Sequence, residues 1–501
     1  LRVTLLAILA YLGTQLAIGL WVSRRVRSET DYILAGRSLG LGLASFSIFG
    51  TWFGAESIQG AAGTFYTDGL LGGSADPFGY ALCILLVGLV FARPLWARGF
   101  TTFGDLFRAR YSASVERFVI LLIVPTSVIW AAAQVRAFGN VVSHASGIPL
   151  DLAIAAAALF VVLYTSVGGL LADAWTDVVQ GLAIIVGLVA LGLVLVVSGD
   201  LQTAWEQVPP DRLALFGDGT VPWYELLEAW TVPVVGSMLA VELLSRVLGC
   251  RSADVARRAC LVGGGLYLAV GLIPAVVGLA GPFLAPGLED AEQLVPELAN
   301  RHLGTWLYVP FAGALMSAIL STVDSCLLAG SSLVTHNVVL PMRPGLSERA
   351  KLRVSRAGVL TLGLLALLLA LRSESIKDLV EFASAFGSAG VFVVACFGLF
   401  TGLGGPLSAW AGLCTGFVVW VAGAWLEWPA PYVTALVVSC AAYLVTVPFS
   451  SGPASSETFQ HDLASRHTLL DERVRPSQVG RVDRAEVLTE RRLQYAGIDE
   501  T

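Results

Sequence analysis

Residues 314–326 read Ala314-Leu315-Met316-Ser317-Ala318-Ile319-Leu320-Ser321-Thr322-Val323-Asp324-Ser325-Cys326. On a helix, Ala318, Ser321 and Thr322 fall at i, i+3 and i+4 and share one face. Ser321, Asp324 and Ser325 repeat that spacing one turn later. A small hard cation needs several oxygens at short range, from hydroxyls, carboxylates or backbone carbonyls. Ser321 and Thr322 offer hydroxyls and Asp324 a carboxylate. Asp177, in Asp173-Ala174-Trp175-Thr176-Asp177, offers another. Each also has an ordinary use, since a serine or threonine in a helix commonly bonds its own backbone and Asp177 could sit at an interface. Taken as a cluster, the residues favour cation binding.

Free carbonyls require interrupted helices, and two stretches read that way. Residues 50–63 are Gly50-Thr51-Trp52-Phe53-Gly54-Ala55-Glu56-Ser57-Ile58-Gln59-Gly60-Ala61-Ala62-Gly63, with four glycines and a glutamate inside an apolar run. Residues 230–237 are Trp230-Thr231-Val232-Pro233-Val234-Val235-Gly236-Ser237, where the proline removes a donor and obstructs a carbonyl one turn back. Irregular backbone inside a bilayer survives only beside protein or a wet cavity. Glycine packing and a proline kink would explain either break alone. Two breaks at matching places in two halves of a chain are the mark of a secondary transporter core.

The elements that hold these stretches must be membrane helices. The chain has 501 residues, 56% hydrophobic and 14% charged, with mean hydropathy +0.75. That is too apolar for a water-soluble domain, and the net charge of −6 provides no nucleic-acid footprint. Seven cysteines lack metal-ligand spacing, and the five histidines fall at loops, span ends or the tail. Neither a disulfide framework nor a membrane metalloenzyme is expected, and no organic cofactor.

Thirteen apolar runs are long enough to span: 3–23, 41–65, 76–96, 118–142, 150–168, 174–198, 226–248, 259–284, 305–335, 355–372, 379–401, 407–425 and 432–449. Arg24, Arg25 and Arg27 follow the first run, against the pattern of a signal peptide. With the N-terminus outside and the C-terminus inside, 25 lysines and arginines fall on inner segments and 5 on outer ones. The expected architecture is therefore an all-α polytopic membrane protein. Residues 450–501 are polar and read as a cytoplasmic tail, either solvated or docking a protein partner.

At these residues the sequence resembles the sodium:solute symporter family. The resemblance spans roughly residues 5–450 and rests on five motifs. These are Asp31-Tyr32-Ile33-Leu34-Ala35-Gly36-Arg37-Ser38, the Ala55-to-Gly63 break, and Thr101-Thr102-Phe103-Gly104-Asp105-Leu106-Phe107-Arg108-Ala109-Arg110-Tyr111. The others are the stretch from Tyr164 through Gly168-Gly169 to Trp175-Thr176-Asp177, and Ser321-Thr322-Val323-Asp324-Ser325. It implies a LeuT-like five-plus-five inverted repeat. Residues 1–40 would be an extra helix and loop, 41–198 the first repeat, 199–225 an outer loop, 226–401 the second repeat, and 402–449 two further helices. It implies a sodium site on the carbonyls of Ala55, Ile58 and Ala318 with the hydroxyls of Ser321 and Thr322. A second sodium site, found in some members, would use Asp177, Ser321, Asp324 and Ser325. One sodium per neutral solute supports roughly 500-fold accumulation at about 100 mV and a tenfold gradient; two support on the order of 10⁵.

The expected function is sodium-coupled import of a small organic solute across a plasma (inner) membrane by alternating access. Arg136 is read as the only basic residue well inside a span, suited to a substrate carboxylate; the competing account pairs it with Glu56 or Glu242. Glu56, Gln59, Trp230 and Phe386 are pocket-lining candidates by position, the two aromatics being equally at home in packing. Proline is doubtful as the solute, because the family's proline carriers have aspartate where Ser57 stands. A sensor of the same fold and a proton-coupled carrier titrating Asp177 or Asp324 are the alternatives. No nucleophile–base pair suggests an enzyme.

Overall fold

The computed structural model describes residues 2–450 except Arg25, Asp218, Pro344, Glu374 and Ser375; the tail expectation lies outside the described residues. The apolar runs fold as helices. The first is α1 (Arg2–Ser23). The second run splits into α2 (Leu41–Trp52) and α3 (Ala61–Asp68), because the chain leaves helical geometry at Phe53 and re-enters through a wide turn at Glu56–Gly60. The third begins at a second irregularity, Ala75–Gly79, and continues as α4 (Tyr80–Leu86). Next come α5 (Ala113–Ser146) and α6 (Leu150–Val197). The latter is two spans broken at Gly169, whose φ of 68° suits glycine. A Cβ there would stand 2.8 Å from the Tyr32 ring.

The second half repeats the device. The run at 226–248 splits into α7 (Trp223–Thr231), continued by a wide turn at Val232–Gly236 that holds Pro233, and α8 (Val241–Gly249), with a 41° bend at residues 237–240. Then follow α9 (Ala253–Leu284), α10 (Thr305–Leu333) and α11 (Glu348–Ala370). The run at 379–401 is also broken, into α12 (Ile376–Ala385) and α13 (Ser388–Phe400), at a left-handed Gly387. The last two helices are α14 (Pro406–Trp425) and α15 (Pro431–Thr446), packed on each other. By length and apolarity, eight described helices are candidate spans, ten if each bent pair is one.

The candidate span Phe311–Met342 has 94% of its apolar window buried within the protein, the most enclosed of the set. It packs against α5 and α6. Small residues let the broken backbone approach its neighbours: a Cβ on Gly278 of α9 would lie 2.6 Å from the Ala62 carbonyl oxygen. The seven cysteines are free.

Candidate functional site

The helical spacing read along 314–326 places one polar face of α10 against α2. A Cβ on Gly50 would stand 3.1 Å from Ser321 Oγ, and one on Gly54 would stand 2.9 Å from Thr322 Oγ1. Thr51 Oγ1 and Ser325 Oγ are 3.2 Å apart. The glycines at the break thus leave room directly before the two hydroxyls. Ala55, Ile58, Ala318, Ser321 and Thr322 are all buried. The Thr322 hydroxyl donates to the Ala318 carbonyl at 3.1 Å. Ser321 donates to Asp177 Oδ1, which directs its lone pairs elsewhere. The Ala55 amide donates to Gln134 Oε1 at 2.9 Å and fixes the start of the wide turn. The hydroxyls of Ser321 and Thr322 therefore face the glycines of the broken stretch.

On the other side of Ser321 lies a group the sequence reading missed. Arg246, on α8, is fully buried, so Arg136 is not the only basic residue inside the protein. Its Nη2 donates to Asp173 Oδ2 and to Ser325 Oγ, and lies 3.5 Å from Asp177 Oδ2. Its Nε donates to Ser47 Oγ at 3.1 Å and its Nη1 to the Glu242 carbonyl at 3.0 Å. Ser47 in turn donates to Asp177 Oδ2 at 2.5 Å. Asp173 and Asp177 stand at i and i+4 on α6, on one helix face. That pairing was the available signal: two buried carboxylates on one face demand a cation. From the sequence, Arg246 at the end of the run 226–248 reads as one of the inner charges that flank it.

Two cavities lie beyond the break. The first, a small cavity of about 30 Å³, is lined by residues including Glu56, Thr64, Asp76, Tyr80 and Glu381. The second, also about 30 Å³, is lined by residues including Trp130, Ser237, Glu242, Ser384 and Phe386. Between them the Tyr80 hydroxyl meets Ser384 Oγ at 3.3 Å, and Ser237 donates to Ser384 at 3.1 Å. Trp52, Tyr80 and Trp130 form an aromatic group with ring centroids 5.6–6.2 Å apart. Both Glu56 oxygens are engaged, by Trp130 Nε1 at 3.2 Å and Gln134 Nε2 at 2.5 Å. Asp76 Oδ2 accepts from Ser57 and Tyr267, each at 2.8 Å, while its Oδ1 is buried without a partner. Asp76 was also missed; it had read as the first residue of an apolar run.

The remaining candidates are dispersed. Gln59 is buried with Oε1 unpartnered. Trp230 packs on Phe216, ring centroids 5.9 Å apart, and lines neither cavity. Arg136 donates to the Ala370 carbonyl at 3.3 Å, at the end of α11, and lines neither cavity. Asp324 Oδ1 accepts from Thr165 at 2.5 Å.

A central helix, helices broken in both halves of the chain and small cavities beside the breaks are the marks of a secondary transporter core. Solved structures agree on the fold. A Na+-coupled sialic acid symporter in a substrate-bound outward-open state superposes with a TM-score of 0.79 at 17% identity, covering 90% of this chain and 98% of that one. Mhp1, a nucleobase-cation-symport-1 family transporter, gives 0.59 at 15% identity, covering 88% and 96%. The fold is thus the LeuT type. The sodium:solute symporter family matches residues 32–416, and the chain belongs to that family. Among curated proteins it is 27% identical over 403 residues to the high affinity choline transporter 1 of Homo sapiens, across 75% of this chain and 69% of the relative. The Caenorhabditis elegans high-affinity choline transporter 1 is 27% identical over 409 residues, across 75% and 70%. The protein is a sodium-coupled symporter of a small solute in the membrane.

Proposed function

We propose that the solute is a small organic cation with a substituted ammonium group, choline being the first compound to test. The observation that carries this reading is the aromatic group Trp52, Tyr80 and Trp130 beside cavities lined by Glu56, Asp76, Glu381 and Glu242. Aromatic faces attract a quaternary ammonium by about 2 kcal/mol when desolvated. No lysine, arginine or histidine is among the described residues lining either cavity. The carboxylate solute expected from Arg136 finds no basic partner there. The unpartnered Asp76 Oδ1 supplies an acceptor for the solute, while Glu56, committed to Trp130 and Gln134, fixes the aromatic wall. The choline transporters among the relatives support the same class.

Sodium is held by the carbonyls of Ala55, Ile58 and Ala318 and the hydroxyls of Ser321 and Thr322. It draws the broken stretch onto α10 and completes the aromatic wall, because Trp52 and Glu56 flank the break. Solute and ion favour the same state, so each raises the other's affinity by the same factor. Thirteen spans with the N-terminus outside complete the reading.

Uptake of labelled choline by proteoliposomes tests it. Accumulation driven by an inward sodium gradient, and lost when potassium replaces sodium, is expected. Uptake of a carboxylate solute with choline ignored would overturn the solute class. Accumulation unchanged in potassium under a proton gradient would select the proton-coupled carrier, and binding without accumulation the sensor.

A further inference from the structure

The family resemblance implies a second sodium site on Asp177, Ser321, Asp324 and Ser325. We infer that in this protein a tethered cation, the Arg246 guanidinium, takes that place, and that each cycle carries one sodium. The inference rests on sodium coupling and concerns its stoichiometry.

Most of the oxygens a second sodium would use already accept hydrogen bonds. Asp177 Oδ1 accepts from Ser321, and Oδ2 accepts from Ser47 at 2.5 Å with Arg246 Nη2 at 3.5 Å. Ser325 Oγ accepts from Arg246 and donates its own proton to the Ser321 carbonyl at 2.7 Å. Asp324 Oδ1 accepts the Thr165 proton at 2.5 Å. A hard cation needs several oxygens converging on one point; here N–H and O–H donors converge on the oxygens instead.

A guanidinium is always protonated in proteins, so Arg246 places a permanent positive charge among Asp173, Asp177 and Ser325. A second cation there would have to share those oxygens with it, away from water, which is costly.

Arg246 also explains its own position. It joins α2 through Ser47, α6 through Asp173, and α10 through Ser325, all from α8. A diffusible ion in that place would leave with every cycle; a side chain holds the four helices whatever the sodium concentration.

The test counts ions. Equilibrium binding of radioactive sodium to the purified full-length protein in detergent is expected to saturate at one per chain with a Hill slope of 1. Two per chain would overturn the inference and leave sodium coupling intact. None bound would overturn both. Arg246→Met is expected to raise the count to two, and Arg246→Lys to keep it at one. An Arg246→Met protein that folds and still binds one sodium counts against displacement; should it fail to fold, the wild-type count decides.

Discussion

Two sides of the same helix turn handle positive charge in opposite ways. On one side of Ser321 stand Gly50 and Gly54, whose missing side chains leave space before the hydroxyls of Ser321 and Thr322. On the other stand Asp173, Asp177 and Arg246, packed with every guanidinium nitrogen bonded. On the proposed reading the first receives an ion that comes and goes, and the second holds a charge that stays. The chemistry of the oxygens is similar on both sides. What differs is whether the chain supplies a hydrogen atom or a guanidinium at the point they face.

Filling the space should have the largest effect. A Cβ on Gly54 would lie 2.4 Å from Glu56 Oε2 and 2.9 Å from both Thr322 Oγ1 and Gln134 Oε1. Gly54→Val is expected to lower sodium-driven uptake by about 100-fold, the scale on which misplacement of about 1 Å acts. Sodium binding to the purified variant checks it. Retained binding would show that the ion sits elsewhere and would dissolve the contrast between the two sides.

Removing a partner on the packed side should act on stability before it acts on transport. Asp173→Asn leaves Arg246 with Asp177 alone, and breaking a buried ion pair costs roughly 3–5 kcal/mol. A lowered unfolding temperature in detergent, with still one sodium bound, is the expected result. Thr322→Val should do the reverse, keeping stability and weakening sodium binding.

The extent to which these two sides were legible in the sequence follows from the same physics. The break at residues 50–63 shows because glycines and a glutamate contradict an apolar run. The break at 230–237 shows because Pro233 cannot continue a helix. The face of α10 shows because polar residues recur at helical spacing. Arg246 does not show, since a basic residue near a span end looks like one of the charges that anchor helices at the surface. Only the partner pair Asp173 and Asp177, four residues apart and 73 and 69 residues away in sequence, reveals its burial. Asp76 hides for a related reason, as the first residue of an apolar run. The break at Gly387 hides because a single glycine also fits simple helix packing. Partners distant in sequence decide all three.

The aromatic group lies beyond both sides and separates solute from ion. Trp130→Leu is expected to raise the half-saturating choline concentration about tenfold, since loss of a desolvated cation–π contact of about 2 kcal/mol exceeds the 1.4 kcal/mol that a factor of ten requires. Sodium binding in the absence of choline should be unchanged. A parallel loss of sodium binding would mean that Glu56, which accepts from Trp130 Nε1 at 3.2 Å, shapes the break itself.

The smallest effect belongs to Arg136, which sequence reasoning had placed at the solute. Its guanidinium donates to the carbonyl of Ala370, the last residue of α11. A cation at a helix C-terminus is worth about 0.3–1 kcal/mol. Arg136→Gln keeps a donor and loses the charge, so a slightly lower unfolding temperature and uptake within about twofold of wild type are expected on that scale. Its buried counterpart Arg246 should respond far more strongly to loss of charge, because carboxylates rather than a carbonyl face it. A tenfold shift in solute affinity on Arg136→Gln would return Arg136 to the solute and favour a carboxylate after all.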